Sequence, residues 1–423
     1  MDKFLEKLKT VFNDKGLRNR VLFVLGALIV FRFLSAIPIA GVDKLKLDQL
    51  LTGNQFLGFL NIFSGGGLST LSIVMLGVGP YITGSIIMQL LTIIFPKLKE
   101  LYQEDGEAGR KKFVQYSRLL TIPLALFQGF GLLYLLQSSG VVVALTTFSK
   151  ILNIVVVMGG AVLMMWLGEL MTEYGVGNGT SIIIFAGIIA RLPSTIAQNI
   201  ASFSAAQIPT YIIFLVVAII IVAGVVVVTE AERPVPVTYA KRVRGSKMYG
   251  GVSTYLPIRL NQAGVMPIIF ALSLLLLPQM LGTFLTGFTY PLAKTIGAFI
   301  VSLVANQIYY AIFYFILVFL FTYFYTAITF DPENIATNLQ KNGAFIPGVR
   351  PGRPTVDHLS RILVRVTFVG ALFLGIIAVL PLGIKAATGI SSLAIGGTSL
   401  LIVVSVVLDL IKQIDAQISM REY

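Results

Sequence analysis

The sequence contains no cysteine and only one histidine, His358, among its 423 residues. Disulfides and thiol chemistry are therefore excluded, and one histidine cannot build a His/Cys metal site. Charged residues are also scarce. They make up 12% of the chain, about half of what a soluble domain carries to cover its surface. Most of the surface of this protein therefore does not face water.

Motifs for nucleotide and covalent chemistry are missing too. There is no Gly-x4-Gly-Lys-Ser/Thr loop, and no Ser/His/Asp set can be built because the one histidine lies in a basic loop. Few ionisable residues lie within or at the ends of the apolar segments, chiefly Arg32, Glu169 and Lys385. This scarcity disfavours an ion-coupled secondary transporter, although backbone carbonyls could still bind Na⁺, and it disfavours an intramembrane enzyme. The sequence predicts no catalytic residue and no cofactor.

Long apolar segments dominate what is present. Hydrophobic residues make up 56% of the chain, and the mean hydropathy is +0.88. A helix needs about 20 apolar residues to cross the ~30 Å hydrocarbon core of a bilayer, whereas the alternating pattern of a β-barrel does not recur. The sequence thus predicts an all-α polytopic membrane protein with ten spans, at residues 17–38, 72–95, 119–136, 151–171, 181–200, 208–228, 263–281, 303–328, 366–384 and 393–411.

The distribution of charge predicts how these spans are oriented. Most of the 32 lysines and arginines lie in the N-terminal segment, after spans 2, 6 and 8, and in the C-terminal tail, residues 414–423. By the positive-inside rule, both termini are cytoplasmic. Residues 1–20 combine apolar and basic positions at helical spacing, which predicts an amphipathic helix on the inner leaflet rather than a cleaved signal.

Ten spans with both ends on one side divide into halves at residues 21–200 and 201–413. Five spans per half give the halves opposite orientations, an inverted repeat. The second span of each half carries a similar motif, Gly77-Val78-Gly79-Pro80 and Gly264-Val265-Met266-Pro267. Matching glycine and proline interruptions point to a functional axis between the halves, although both residues are common in membrane helices in general.

Neutral polar side chains recur at membrane depth. Gln89, Gln128 and Asn261 lie on or beside spans 2, 3 and 7. Such groups commonly join helices by hydrogen bonds, and this set is also compatible with a closed gate held by those bonds.

A glycine-rich segment between spans 1 and 2 is too polar and too short to span, and three consecutive glycines disfavour a stable helix. It is either a surface loop or a segment that enters a cavity. Its residues are Asn61, Ile62, Phe63, Ser64, Gly65, Gly66, Gly67, Leu68, Ser69 and Thr70.

Two long basic loops, residues 229–260 and 329–365, are the main soluble parts. Alternation at Val235, Val237 and Tyr239 predicts a β-hairpin, and the Pro/Gly-rich run at 343–352 predicts a non-helical platform for Arg350. Only a few lysines or arginines near the span ends are needed to set the orientation of a protein in the membrane. Basic side chains on projecting loops therefore favour docking of an anionic partner, such as rRNA or an acidic motor.

Six motifs in order along nearly the whole chain resemble the SecY family, the channel-forming subunits of the bacterial protein translocase. They lie at residues 77–82, 175–187, 239–242, 263–267, 344–352 and 396–404. The resemblance implies a clamshell of two five-helix halves around an hourglass pore, sealed at its waist by aliphatic side chains. The matching positions are Val78, Ile82, Ile184, Ile269 and Ile402.

The resemblance also implies roles for the other features. Residues 61–70 match the plug, described in this family as a short helix that blocks the closed channel from outside. Spans 2 and 3 against 7 and 8 match a lateral gate, with Gln89, Gln128 and Asn261 as its polar lock. The basic loops match the docking surface for the SecA motor ATPase and the ribosome, through Lys241, Arg242 and Arg350.

A member of this family is expected to be a passive channel in the bacterial cytoplasmic membrane, not an enzyme. It passes secreted chains across the membrane and releases membrane segments sideways into lipid. The partners implied are SecE, SecG, SecA, the ribosome, signal peptides, translocating polypeptides and membrane lipids.

Overall fold

The computed structural model describes residues 13–39, 43–53, 57–58, 60–61, 64–103, 105–142, 146–201, 208–239, 242–244, 247–249, 253–262, 264–287, 290–388 and 391–419. Most of the predicted N-terminal helix lies outside these residues, as do Ile62, Phe63, Lys241 and the last four residues of the predicted tail.

Helices form most of the described chain. They are α1 (Lys15–Ser35), α2 (Lys44–Gly53), α3 (Gly79–Ile94), α4 (Pro96–Gln103), α5 (Gly106–Ser138), α6 (Thr147–Tyr174), α7 (Gly179–Ala201), α8 (Ile208–Glu230), α9 (Met266–Thr286), α10 (Pro291–Ala305), α11 (Gln307–Thr329), α12 (Pro332–Lys341), α13 (Arg353–Thr388) and α14 (Ser391–Ser419).

A helix overlaps each of the ten predicted spans. By length and composition, five of the described helical segments can cross a membrane, and they correspond to α5, α6, α9, α11 and α13. Helices α3 and α4 would together supply a sixth, although they bend by 119° at the break between them. A mostly helical fold with five or six candidate membrane spans is therefore confirmed, whereas the count of ten spans stays a prediction.

The starts of spans 2 and 7 differ from the prediction. Residues 72–78 form turns, and α3 begins only at Gly79. Gly77 has φ 55° and Gly264 has φ 59°, and in each case the next residue, Val78 or Val265, has φ −89° and caps a helix with proline in its first turn. Glycine tolerates positive φ, and proline suits a first turn because its missing N–H has no partner there. The two motifs are thus matching helix starts, not interruptions within a span.

The helices pack in two groups. In the first, α6 contacts α1, α3, α5 and α7, and in the second, α13 contacts α8, α11 and α14. The main contacts between the groups are made by α9 against α3 and α5, and by α14 against α7. One apolar core extends through both groups. Two seams therefore join them, one at α9 and one at α14.

The two basic loops fold into one body beside the helices. Strands β1 (Glu232–Tyr239) and β4 (Ser253–Arg259) pair antiparallel and confirm the predicted hairpin, which also carries a short pair, β2 (Arg242–Arg244) and β3 (Lys247–Tyr249). Strand β5 (Ala344–Phe345), from the second loop, pairs with the other edge of β1.

A second apolar core holds this loop body together. Val235, Val237 and Ile258 of the hairpin pack with Ile346 of the second loop and Leu359 of α13, and all five are buried. Glycines at 343, 348 and 352 adopt positive φ, so the predicted non-helical platform is also confirmed.

Candidate functional site

Three isoleucines from three helices meet at one cavity between the two helix groups. Ile82 of α3, Ile184 of α7 and Ile269 of α9 all line a cavity of about 220 Å³. Each is at least nine-tenths buried. Because α3 and α7 belong to the first group and α9 to the second, the cavity lies where the groups face each other.

Val78 and Ile402 do not line the cavity but belong to the same apolar core as the three isoleucines, and both are fully buried. Val78 is held there as the residue that caps α3. The structure thus brings three of the five predicted waist residues around one space and buries the other two in the surrounding core.

The rest of the cavity wall is largely polar. It includes Ser85 and Gln89 of α3, Ser181 and Thr180 in the first turn of α7, and Asn178 just before it. The Thr180 hydroxyl donates to Asn178 Oδ1 at 2.6 Å, and this contact fixes the turn that leads into α7. The remaining lining residues are Met266, Phe270 and Tyr325, so neutral polar groups and apolar side chains share the wall.

In the glycine-rich segment, Asn61 and residues 64–68 are buried against the first helix group, whereas Thr70 is exposed. Asn61 and Ser64 are fully buried, and the amide oxygen of Asn61 accepts from the backbone N–H of Ser69 at 3.0 Å. Ser64 Oγ donates to the carbonyl of Asn61 and accepts from the N–H of Leu68, both at 3.0 Å. These side chains substitute for regular backbone pairing, so residues 64–70 form turns rather than the short helix that the resemblance implied.

Sequence comparison identifies the family. The family model described as SecY matches residues 72–411. The chain is also 41% identical to the protein translocase subunit SecY of Mycobacterium tuberculosis, over all of this chain and 99% of that protein. The SecY subunit of Synechocystis is 41% identical, over 96% of this chain and 93% of that one.

The chain belongs to the SecY family.

Solved structures agree in fold. The structure titled as that of a protein conducting channel superposes with a TM-score of 0.66 at 20% identity, and covers 94% of this chain and 92% of its own. A structure of Sec61 in the canine ribosome-channel complex gives a TM-score of 0.63 at 19% identity with the same coverage. The SecY/Sec61 fold is therefore shared at low sequence identity.

The three polar residues expected at a SecY lateral gate are not joined by hydrogen bonds among the described residues. Gln128 of α5 is buried, and its Nε2 lies 3.5 Å from Thr83 Oγ1 of α3, within the first helix group. Asn261 donates to the carbonyl of Gly264 at 3.1 Å, just before α9 begins. Gln89 faces the cavity, and its buried Oε1 has no partner in the described part of the chain.

Aromatic side chains form much of the contact between α5 and α9. Phe284 of α9 lies 5.8 Å from Phe127 and 5.6 Å from Phe130, measured between ring centroids. Gly131 on α5 leaves room for Met280, whose Cε would be 3.4 Å from a Cβ at that position. The seam between the groups is thus closed at this end by apolar packing, which the sequence did not single out.

Of the three residues expected at a SecY docking surface, the structure describes the side chain of only Arg350. It is exposed on the platform between β5 and α13, and its carbonyl accepts from Thr355 Oγ1 at 2.9 Å, which ties the platform to the first turn of α13. Lys241 lies outside the described residues, and only the backbone of Arg242 is described, in β2.

Two ionisable residues noted in the apolar segments have partners that the sequence could not reveal. Glu169 of α6 pairs with Arg118 of α5 at 2.8 Å. Arg32 of α1 donates from Nη2 to the carbonyl of Ala186 on α7 at 2.6 Å. The first contact joins consecutive helices and the second joins helices far apart in sequence, and neither Glu169 nor Arg32 lies in the family motifs.

Proposed function

We propose that this chain is the central pore subunit of a Sec translocon. It acts as a passive protein-conducting channel for secretion across the cytoplasmic membrane and for lateral insertion into it. The observation that carries this proposal is the meeting of Ile82, Ile184 and Ile269 beside a cavity with polar walls. An apolar constriction excludes hydrated ions by dewetting but yields to an extended polypeptide.

The proposed architecture has ten spans in two inverted five-helix halves, residues 21–200 and 201–413. The matching starts of α3 and α9 support this division, because the same Gly-Val-x-Pro geometry introduces the second span of each half. The two packing groups of helices support it as well. Each half is one shell of the clamshell, and the pore lies between them.

The closed pore has two barriers in this proposal. Val78, Ile82, Ile184, Ile269 and Ile402 form the waist, and residues 61–70 form the plug. The five waist residues are buried, as are Asn61, Ser64 and Leu68 of the plug, which supports a resting channel that keeps ions out.

Helices α3 and α5 form the lateral gate with α9 and α11. Signal sequences and membrane segments leave through the seam of α9 against α3 and α5. The aromatic contacts of Phe284 support an apolar closure there. Gln89, Gln128 and Asn261 then act as polar groups that find new partners when the gate opens, not as one closed-state lock.

The loop body is the proposed docking surface, with Lys241, Arg242 and Arg350 as its basic contacts. The partners proposed are SecA, the ribosome, SecE and SecG, and the similarity to Sec61 in a ribosome-channel complex supports the ribosome. Energy comes from the docked partner, because the sequence has no P-loop. Both termini face the cytoplasm, so the loop body does too.

A stalled secretory chain provides the deciding test. A photo-crosslinking residue at Ile82 or Ile402 should capture the stalled chain, whereas one at Ile93, on the same helix as Ile82 but 67% exposed, should not. Equal capture at all three sites would contradict a central pore. A secondary transporter would instead show solute uptake and no capture at Ile82.

A further inference from the structure

The glycine-rich segment meets α7 through a direct contact between two glycine backbones. A Cβ added at Gly187 would overlap the Cα of Gly65. Gly65 has φ 63°, a conformation that glycine adopts readily, and its own added Cβ would overlap the ring of Phe31 on α1. Any side chain at Gly187 would therefore push the segment away from α7.

Arg32 closes this contact from the other side. Its guanidinium lies over the Phe31 ring, 5.3 Å from the ring centroid, and donates to the carbonyl of Ala186, the residue before Gly187. The ring of Phe31 is fully buried, so the cation and the segment both hold it. A chain of contacts thus runs from Gly65 through Phe31 and Arg32 back to α7.

We propose that Gly187 and Arg32 form a seat that positions residues 61–70 in the closed channel, a role that rests on the proposed channel function. Gly187 supplies a notch that admits the backbone of Gly65. Arg32 fixes the width of the slot between α1 and α7 by its bond to Ala186. A charged side chain at membrane depth is costly and usually has a function. Arg32 makes a hydrogen bond to α7 that an apolar residue could not make.

Gly187→Ala is the direct test. The added methyl group should raise the resting ion conductance of reconstituted channels about tenfold, because overpacking of a tight contact shifts the segment out of its seat. That change corresponds to ~1.4 kcal/mol. Gly159→Ala on α6 is the matched control, since nothing lies within 4 Å of a Cβ there, and it should leave conductance unchanged.

Deletion of residues 61–70 distinguishes two explanations of the Gly187→Ala effect: displacement of the segment from its seat, and a general disturbance of helix packing. In the deleted chain, Gly187→Ala should add nothing to the conductance, because no segment remains to be displaced. An equal increase with and without the segment would overturn the proposal, as would an unchanged conductance in the full chain.

Arg32 is tested without overpacking. Arg32→Met keeps an unbranched apolar stem but loses every donor, and it should raise the resting conductance at least about tenfold, as expected for the loss of a charge-assisted hydrogen bond. Arg32→Lys should restore most of the seal. Equal leak in both variants would contradict the positioning role of the cation.

Thiol labelling gives a readout independent of conduction. The chain has no cysteine, so Leu68→Cys introduces a single thiol at a fully buried position of the segment, where the side chain makes no hydrogen bond. Gly187→Ala should speed its labelling by a membrane-impermeant maleimide about tenfold. If the proposed channel function is wrong, deletion of residues 61–70 will not raise the ion conductance, but Gly187→Ala will still speed the labelling of the thiol. If Gly187→Ala leaves the labelling rate unchanged, the proposed seat is refuted whether or not the protein is a channel.

Discussion

At the scale of single residues, the proposed waist depends on side chains that are apolar and closely packed. Ile82, Ile184 and Ile269 line one cavity from three helices, an arrangement that no one helix could provide. The sequence offered only motif matches for these positions. Nothing in the local pattern distinguishes Ile82 from the other isoleucines of α3.

Ile82→Asn should open this constriction to water. A polar side chain at the waist lowers the dewetting barrier, and a fall of ~1.4 kcal/mol would raise resting conductance about tenfold. Single-channel recording in planar bilayers measures the change. Ile93→Asn, at an exposed position of the same helix, should leave the recording unchanged; a leak of equal size there would argue against a seal at Ile82.

Buried polar side chains show a second limit at this scale. The sequence places three polar residues at similar depth, but they have different surroundings. Gln128 approaches Thr83, Asn261 donates to the carbonyl of Gly264 three residues later, and Gln89 faces the cavity. Hydrogen-bond partners depend on distances of a few tenths of an ångström, which sequence spacing cannot fix.

At the scale of elements, hydropathy located the helices well but not where they start. Residues 72–78 are apolar enough to belong to span 2, but they form turns that place Val78 at the cap of α3. Their backbone is satisfied locally and by the residues that follow α1: the N–H of Ile73 donates to the carbonyl of Ile37 at 3.0 Å. Tertiary pairing of this kind has no signature in a hydropathy window.

The loop body is an element-scale unit with its own core, and Ile258→Ala should destabilise it locally. Ile258 is fully buried between the hairpin and α13, so its truncation should cost ~2–5 kcal/mol. Hydrogen exchange should rise in β1 while exchange in α6 stays constant. Tyr255→Ala, 66% exposed on the same strand, should change neither, and a global rise in exchange would show that the loop body is not a separate unit.

At the scale of the whole molecule, the two seams have different characters. The α9 seam combines aromatic contacts with polar groups beside the cavity, whereas α14 meets α7 near the glycine turn at Gly177, where a Cβ would lie 2.8 Å from Leu410. This difference favours opening at the α9 seam with the α14 seam as the hinge.

A covalent link across the α9 seam should therefore block the channel. Phe130→Cys with Phe284→Cys, joined by a short bismaleimide, should stop lateral insertion and strongly lower secretion into vesicles. The control is Phe319→Cys with Phe368→Cys, which joins α11 to α13 within one helix group at a similar ring distance of 5.9 Å. Full activity of the linked Phe130–Phe284 pair would exclude opening at this seam.

The sequence by itself determined the membrane class, the helix positions, the hairpin and the family, because these follow from composition, periodicity and local motifs. Tertiary structure alone decided which isoleucines share a cavity, how the two basic loops form one core, where Gly187 meets the glycine-rich segment and where Arg32 bonds α7. Such arrangements bring together residues far apart in the sequence; Arg32 and Ala186, which share a hydrogen bond, are 154 positions apart. Local sequence determines which helices form, but only their packing determines which of their faces meet.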